Sequence, residues 1–168
     1  MPLSLAAAPA PTEVGLPLGN EADPYGAAVA RLVRSVVQYA RWPGEPDRLR
    51  ACVVGPADHA DDLLAGREVS AVGVVAAMVS AEAVRPANCE IVYLGRLSLE
   101  QQRAVTARMR GAAVLTIAEN DPACRSRAMI CLLFEAEALS FRLNIDSVAN
   151  SQVRIDPRVL RLGAGVAP

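Results

Sequence analysis

Residues 89–118 read CEIVYLGRLSLEQQRAVTARMRGAAVLTIA, and their pattern changes twice. From Cys89 to Gly95 the side chains are mostly apolar, β-branched or aromatic, which suits a buried strand. Ser98, followed by Glu100, Gln101 and Gln102, supplies a helix start, because a serine oxygen can accept from the free amides of a first turn. The helix so opened runs to about Arg110 and stops at Gly111. AAVLTIA is then a second, wholly apolar strand. Strand, helix, strand in one segment is the signature of a parallel crossover, since parallel neighbours need a long connection between them.

Working outward, AMICLLFEAEALSFRLNI reads as two strands joined by a tight turn near Glu135 to Glu137, followed by short helical segments at about Asp146 to Ser151 and Pro157 to Leu162. Leu160 and Leu162 are expected to close the core. On the other side, RLRACVVG gives a strand from about Leu49 to Val54, ended by Gly55 and Pro56, and Asp58 to Leu64 gives a short helix. The stretch from Val69 to Val79 fits strand or helix and is read as strand. Tyr25, Val29, Leu32, Val33, Val36 and Val37 recur at helical spacing, with Asp23 as cap, Pro24 in the first turn and Pro43 ending the run. The first 24 residues, rich in Ala, Pro and Gly, show neither period and are read as a mobile leader. LSLAAAPA within it looks like the end of a secretory signal. The fold class expected is α/β: one domain over 25–168, a mixed β-sheet flanked by helices on both faces.

The 168 residues are 52% hydrophobic, with a mean hydropathy of +0.25, enough for a single-domain core without metal. Basic residues number 17 against 18 acidic, so no charge excess draws the chain to nucleic acid or an anionic bilayer. All the basic residues are arginine, in keeping with a biased genome. No apolar stretch approaches the roughly 18 residues of a membrane span, so no direct insertion is expected.

Catalytic patterns find little to match. The turn VVGPADHADD has one glycine and a proline where a dinucleotide fingerprint needs three spaced glycines, and no phosphate loop is present. His59 is the sole histidine. It could join Asp58, Asp61 or Asp62 in a metal or acid/base site, but an exposed histidine at a helix start explains it more simply. Glu135 and Glu137 fall on a turn, where carboxylates are solvated. The chain is read as a non-enzyme with no cofactor and no metal. Cys52, Cys89, Cys124 and Cys131 lack the CxxC spacing of zinc or thioredoxin-like sites, which leaves four buried thiols or two disulfides, with three possible pairings.

YARWP after the first helix, CEIVYLG, VLTIAEND, and AMICLLFEAEALSFRLNIDSVANSQVRIDPRVLRLG together resemble the YfiR family of periplasmic proteins over Tyr25 to Gly163. The resemblance implies disulfides Cys52–Cys89 and Cys124–Cys131, the second clipping a loop to a hairpin strand and open to a redox-sensitive role. It implies a periplasmic repressor that binds the periplasmic sensor region of an inner-membrane diguanylate cyclase, lowering cyclic di-GMP and biofilm formation. It further implies a homodimer, and sequestration by an outer-membrane peptidoglycan-binding lipoprotein. Trp42, Arg142 and Asn144 are the candidate partner or ligand surface, with a core or capping role the other reading of Trp42. Arg142 and Asn144 alternate with Phe141 and Leu143 and so point away from the side those residues bury. The alternative function is a periplasmic small-ligand sensor with a cleft at the strand ends.

Overall fold

The structure, a computed structural model, describes residues 14–162. The crossover is present. Strand β5 (Ile91–Leu94) leads through α3 (Leu99–Met109) to β6 (Leu115–Ala118), which lies parallel to it. Ser98 and Gln101 close a reciprocal capping box, and Gly111 leaves the helix at φ +75°. Around this unit stand β3 (Leu49–Val54), β4 (Val74–Val79), β7 (Ile130–Phe134) and β8 (Ala138–Leu143), with β1 (Val14–Pro17) at one margin. The order is β1-β8-β7-β6-β5-β3-β4. Strands β4, β3, β5, β6 and β7 are parallel, β8 pairs antiparallel with β7, and β1 pairs antiparallel with β8, making one mixed sheet.

Strand residues alternate between two cores. Val53, Ile91, Tyr93, Leu115 and Ile117 pack beneath α1 (Pro24–Tyr39) and α2 (Asp61–Leu64), against Leu32, Val36 and Leu63. Cys52, Val54, Val92, Leu94 and Ala118 face the other way, under Val105 and Met109 of α3. Helices therefore cover both faces. Leu32 is completely buried, and its truncation to Ala would cost about 2–5 kcal/mol.

Tertiary pairing revises several boundaries. Residues 14–17, assigned from sequence to a mobile leader, pair with β8 in the register Val14 to Phe141 through Pro17 to Ala138. VGLP has no local strand signal; the free edge of β8 supplies the order. The part of the leader before residue 14 lies outside the described residues. Helix α1 ends at Tyr39, ahead of Pro43, because Ala40 and Arg41 (β2) pair with Arg154 and Ile155 (β9). The 69–79 segment splits at Gly73, whose φ of +78° and whose approach to the Asp47 carbonyl leave no room for a side chain. A 3-10 turn over Ser70–Val72 precedes it and β4 follows. Helix α2 starts only at Asp61, because the amides of Asp58 and His59 donate to Glu119 instead of continuing a helix. Near the C-terminus, α4 (Ile145–Ala149) and a 3-10 turn over Pro157–Arg161 occupy the two predicted helical segments. Val159 closes the core there, assisted by partly buried Leu162, while Leu160 is exposed.

Candidate functional site

Open sheets with helices on both faces usually bind ligands beyond the carboxyl ends of the strands, where the winding reverses. Here that position falls between β3 and β5, and the chain fills it. The Gly95 amide donates to the Val54 carbonyl and the Arg96 amide to the Pro56 carbonyl. A Cβ on Gly95 would stand 2.2 Å from Pro56 O, so the two turns are in direct backbone contact. Below them the buried Glu119 carboxylate accepts from the amides of Asp58 (2.9 Å) and His59 (2.7 Å) and from the Tyr93 hydroxyl (2.9 Å). Burial, reinforced by the Glu119 charge and bond, raises the Tyr93 pKa well above its ordinary value. The strand-end cleft expected of a ligand sensor is thus occupied by this network.

His59 is not the exposed helix-start residue expected from its acidic surroundings. Its ring is half-buried between Phe134 (centroids 4.4 Å apart) and Tyr25 (5.2 Å). Asp58 pairs with Arg96 and Asp62 with Arg67, so neither carboxylate is committed to the imidazole. Glu135 and Glu137 are exposed on the hairpin turn, where Glu135 accepts from the Ser140 hydroxyl.

The cysteines form the pairs that the resemblance implies. Cys52 in β3 joins Cys89 just ahead of β5, with Cα atoms 5.9 Å apart, in a buried setting. Beside this bridge the Glu90 carboxylate accepts two bonds from the Arg50 guanidinium and one from the Arg50 amide. The Arg50 bond is the main cause that lowers the Glu90 pKa. Trp42 belongs to the same end of the molecule. It is 7% exposed, and its indole N–H donates to the Glu90 carbonyl, so it serves the core and does not project as an anchor.

The second bridge, Cys124–Cys131, spans a separation of seven residues and ties a surface loop to β7. Asp121, which sequence reasoning passed over, organises that loop. Its carboxylate is buried and accepts from the amides of Arg125 (2.8 Å) and Ser126 (2.7 Å). Helix α3 holds the same loop from outside: the Thr106 hydroxyl donates to the Ser126 carbonyl and Arg103 Nε to the Arg125 carbonyl. Cys124 and Arg127 sit at φ +55° and +65°, a conformation costing roughly 1–2 kcal/mol for each non-glycine residue. The bridge and these bonds hold it. Asp121 and the two sulfurs are close enough to suggest a metal site. Both sulfurs are spent in the disulfide, however, and the carboxylate in the amide bonds, so the cluster reads as a loop anchor. The clue in the sequence was VLTIAEND, two acids directly after an apolar strand, where carboxylates meet loop amides.

Arg142 lies opposite Cys131 in the β7–β8 ladder and is exposed, while Phe141 is buried on the α1 side. Asn144 caps α4, accepting from the Ser147 amide, and lines a groove of about 690 Å³ between α3 and α4. Met109, Val114 and Met129 form its buried floor, and Arg103, Arg110 and Arg127 stand at its exposed wall. None of these three arginines has a carboxylate partner among the described residues. The clip, the groove and Arg142 therefore share one arginine-rich face on the α3 side of the sheet. No helix among the described residues is long and apolar enough to cross a membrane.

Fold and site together define a disulfide-clipped α/β domain, of the kind suited to an oxidising compartment, with a stiffened cationic surface. Residues 27–164 match the YfiR/HmsC-like family, and the chain belongs to it, a family of periplasmic regulators of cyclic di-GMP signalling. Among solved structures it is similar to an O-acetylhomoserine sulfhydrylase of Wolinella succinogenes, at 14% identity and a TM-score of 0.43, over 70% of this chain and 38% of that one. It is also similar to the ureidoglycine-glyoxylate aminotransferase of Bacillus subtilis, at 10% identity and 0.45, over 86% of this chain and 40% of that one. The chain spans about two fifths of the length of either enzyme, and these likenesses carry no argument about its activity.

Proposed function

We propose that the chain is a repressor that binds the periplasmic sensor region of an inner-membrane diguanylate cyclase through the face carrying Arg125, Arg127 and Arg142, and acts as a homodimer. Less cyclase output lowers cyclic di-GMP and biofilm formation. An outer-membrane peptidoglycan-binding lipoprotein, by competing for the repressor, relieves it. The observation that carries this reading is the family match across the domain, clip included. The physics adds two supports. Exposed guanidiniums fixed on a rigid loop suit an acidic protein surface, because little side-chain or loop entropy remains to be lost on docking. Repression also requires preference for one sensor conformation; moving a two-state sensor from 1:99 to 99:1 needs about 10⁴-fold tighter binding to the favoured state.

The test is titration calorimetry of the oxidised chain against the isolated periplasmic sensor regions of the inner-membrane diguanylate cyclases of its own organism. A saturable complex that Arg142→Glu weakens at least tenfold is the expected result. No binding by the wild-type chain would overturn the repressor reading, and unchanged binding by Arg142→Glu would move the contact elsewhere.

The small-ligand reading is favoured by one observation, the groove between α3 and α4, whose volume falls in the range of small-molecule sites. Its apolar floor and arginine wall suit a compact carboxylate. A saturable rise in melting temperature with one member of a carboxylate panel, abolished by Arg110→Ala, would establish it.

A further inference from the structure

Among the described residues strand β4 is the outermost on its side of the sheet, and its sequence does nothing to guard that edge. Residues 70–81 read SAVGVVAAMVSA, without a charge or a proline. Val75 is 51% and Met78 57% exposed, on opposite faces of the strand. The opposite edge is treated differently, since β1 is only four residues long and ends in Pro17, which has no amide to offer. Proteins normally blunt a free edge with charge, proline or a bulge, because unpaired backbone groups template another strand.

The backbone pattern says what would fit. The Gly73 carbonyl accepts from the Leu49 amide, so alternation turns the polar groups of Gly73, Val75 and Ala77 towards β3 and those of Ala76 and Met78 outward. Val74 also faces outward; its amide is satisfied by the Val69 carbonyl, which leaves its own carbonyl free. A second, antiparallel β4, related by a two-fold axis perpendicular to the sheet through Ala76, matches these groups. Ala76 then exchanges both bonds with the partner subunit's Ala76, and each Met78 amide donates to the Val74 carbonyl across the axis. Val75 stands beside the partner subunit's Ala77, so a large exposed side chain meets a small one. With no charge from Ser70 to Ala81, no like charges are opposed, and nothing in the strand selects an oppositely charged foreign segment.

We infer that β4 is the homodimer interface, joining the sheets of two copies edge to edge by antiparallel β4 pairing about Ala76. This rests on the homodimer reading above and supplies its surface. A pairing of this length buries a modest area, so the dimer is concentration-dependent. It also leaves the arginine face free for other partners, because β4 and β8 lie at opposite sides of the sheet.

The experiment is sedimentation velocity on the oxidised chain over a hundredfold range of concentration, with Ala76→Pro and Met78→Lys alongside. Proline at position 76 removes an outward amide and spares the bonds to β3. Lysine at position 78 sets two charges near the axis at an already exposed site. The expected result is a wild-type dimer that dissociates on dilution, with at least a tenfold weaker association in each variant at unchanged far-UV circular dichroism. A wild-type chain that is monomeric throughout overturns the dimer reading itself. A dimer of undiminished strength in Met78→Lys overturns the edge assignment alone, and that variant decides the matter if Ala76→Pro fails to fold.

Discussion

The two disulfides sit in the same sheet and face the same helix, yet they do different work. Cys52–Cys89 lies between parallel strands already joined by ladder bonds and by the Arg50–Glu90 pair, with the Trp42 indole bonded to the Glu90 carbonyl beside it. Cys124–Cys131 closes a loop with no regular structure, held by the Asp121 carboxylate in a backbone conformation that includes two left-handed non-glycine residues. The first bridge therefore deepens a fold that the core already specifies. The second specifies a surface that the core leaves open.

Removing each bridge is the sharpest way to break that contrast. In the chain-entropy description, closing a 37-residue separation is worth about 4 kcal/mol and a seven-residue one about 2 kcal/mol. Cys52→Ala/Cys89→Ala is expected to show the larger loss in urea denaturation, with partner affinity of the surviving folded fraction unchanged. A loss below about 1 kcal/mol would place this bridge among the dispensable ones. Cys124→Ala/Cys131→Ala should lose about half as much stability but at least tenfold in affinity for the sensor region proposed as its partner. Equal affinity would show that the clip does not shape the docking face.

Asp121→Asn asks whether the carboxylate or the bridge orders the loop. Hydrogen bonds to a charged acceptor contribute about 1.5–3 kcal/mol each, and asparagine can keep at most part of that. Faster amide exchange confined to residues 122–128, with the bridge intact, is the expected signature. Protection unchanged from wild type would assign the loop to the disulfide alone.

The smallest effect lies near the first bridge. The Glu90 pKa is lowered, chiefly by the Arg50 bond, so the pair stabilises the fold above the ordinary glutamate value of 4.5 and loses that contribution as pH falls through the lower folded value. Arg50 is half-exposed, so solvent screens the pair and the effect is small. Wild type and Glu90→Gln should differ in urea midpoint at pH 7 and converge as the pH drops below 4.5. A constant difference down to pH 3 would show that the pair is not what couples stability to pH.

Much of this architecture was legible because period and punctuation agreed. The crossover from Cys89 to Ala118 carried a strand pattern, a serine cap, a glycine stop and a second apolar strand, and the structure differs from that reading by up to three residues at the strand ends. Arg142 was also legible, since alternation along β8 opposes it to Phe141. His59 was not. An imidazole beside three acids looks like a surface feature locally, and only packing against Phe134 and Tyr25 removes it from that role.

Local chemistry thus sufficed for the class of fold, for the alternation that separates its two cores, and for the family to which the chain is similar, because each depends on patterns only a few residues long. Tertiary structure alone decided that VGLP is a strand, that the strand ends are filled by Glu119 and its amides, and that Asp121 shapes the clip. Those features join residues far apart in the chain or bury a charge against loop amides, and their energy exists only once the sheet has brought the partners together.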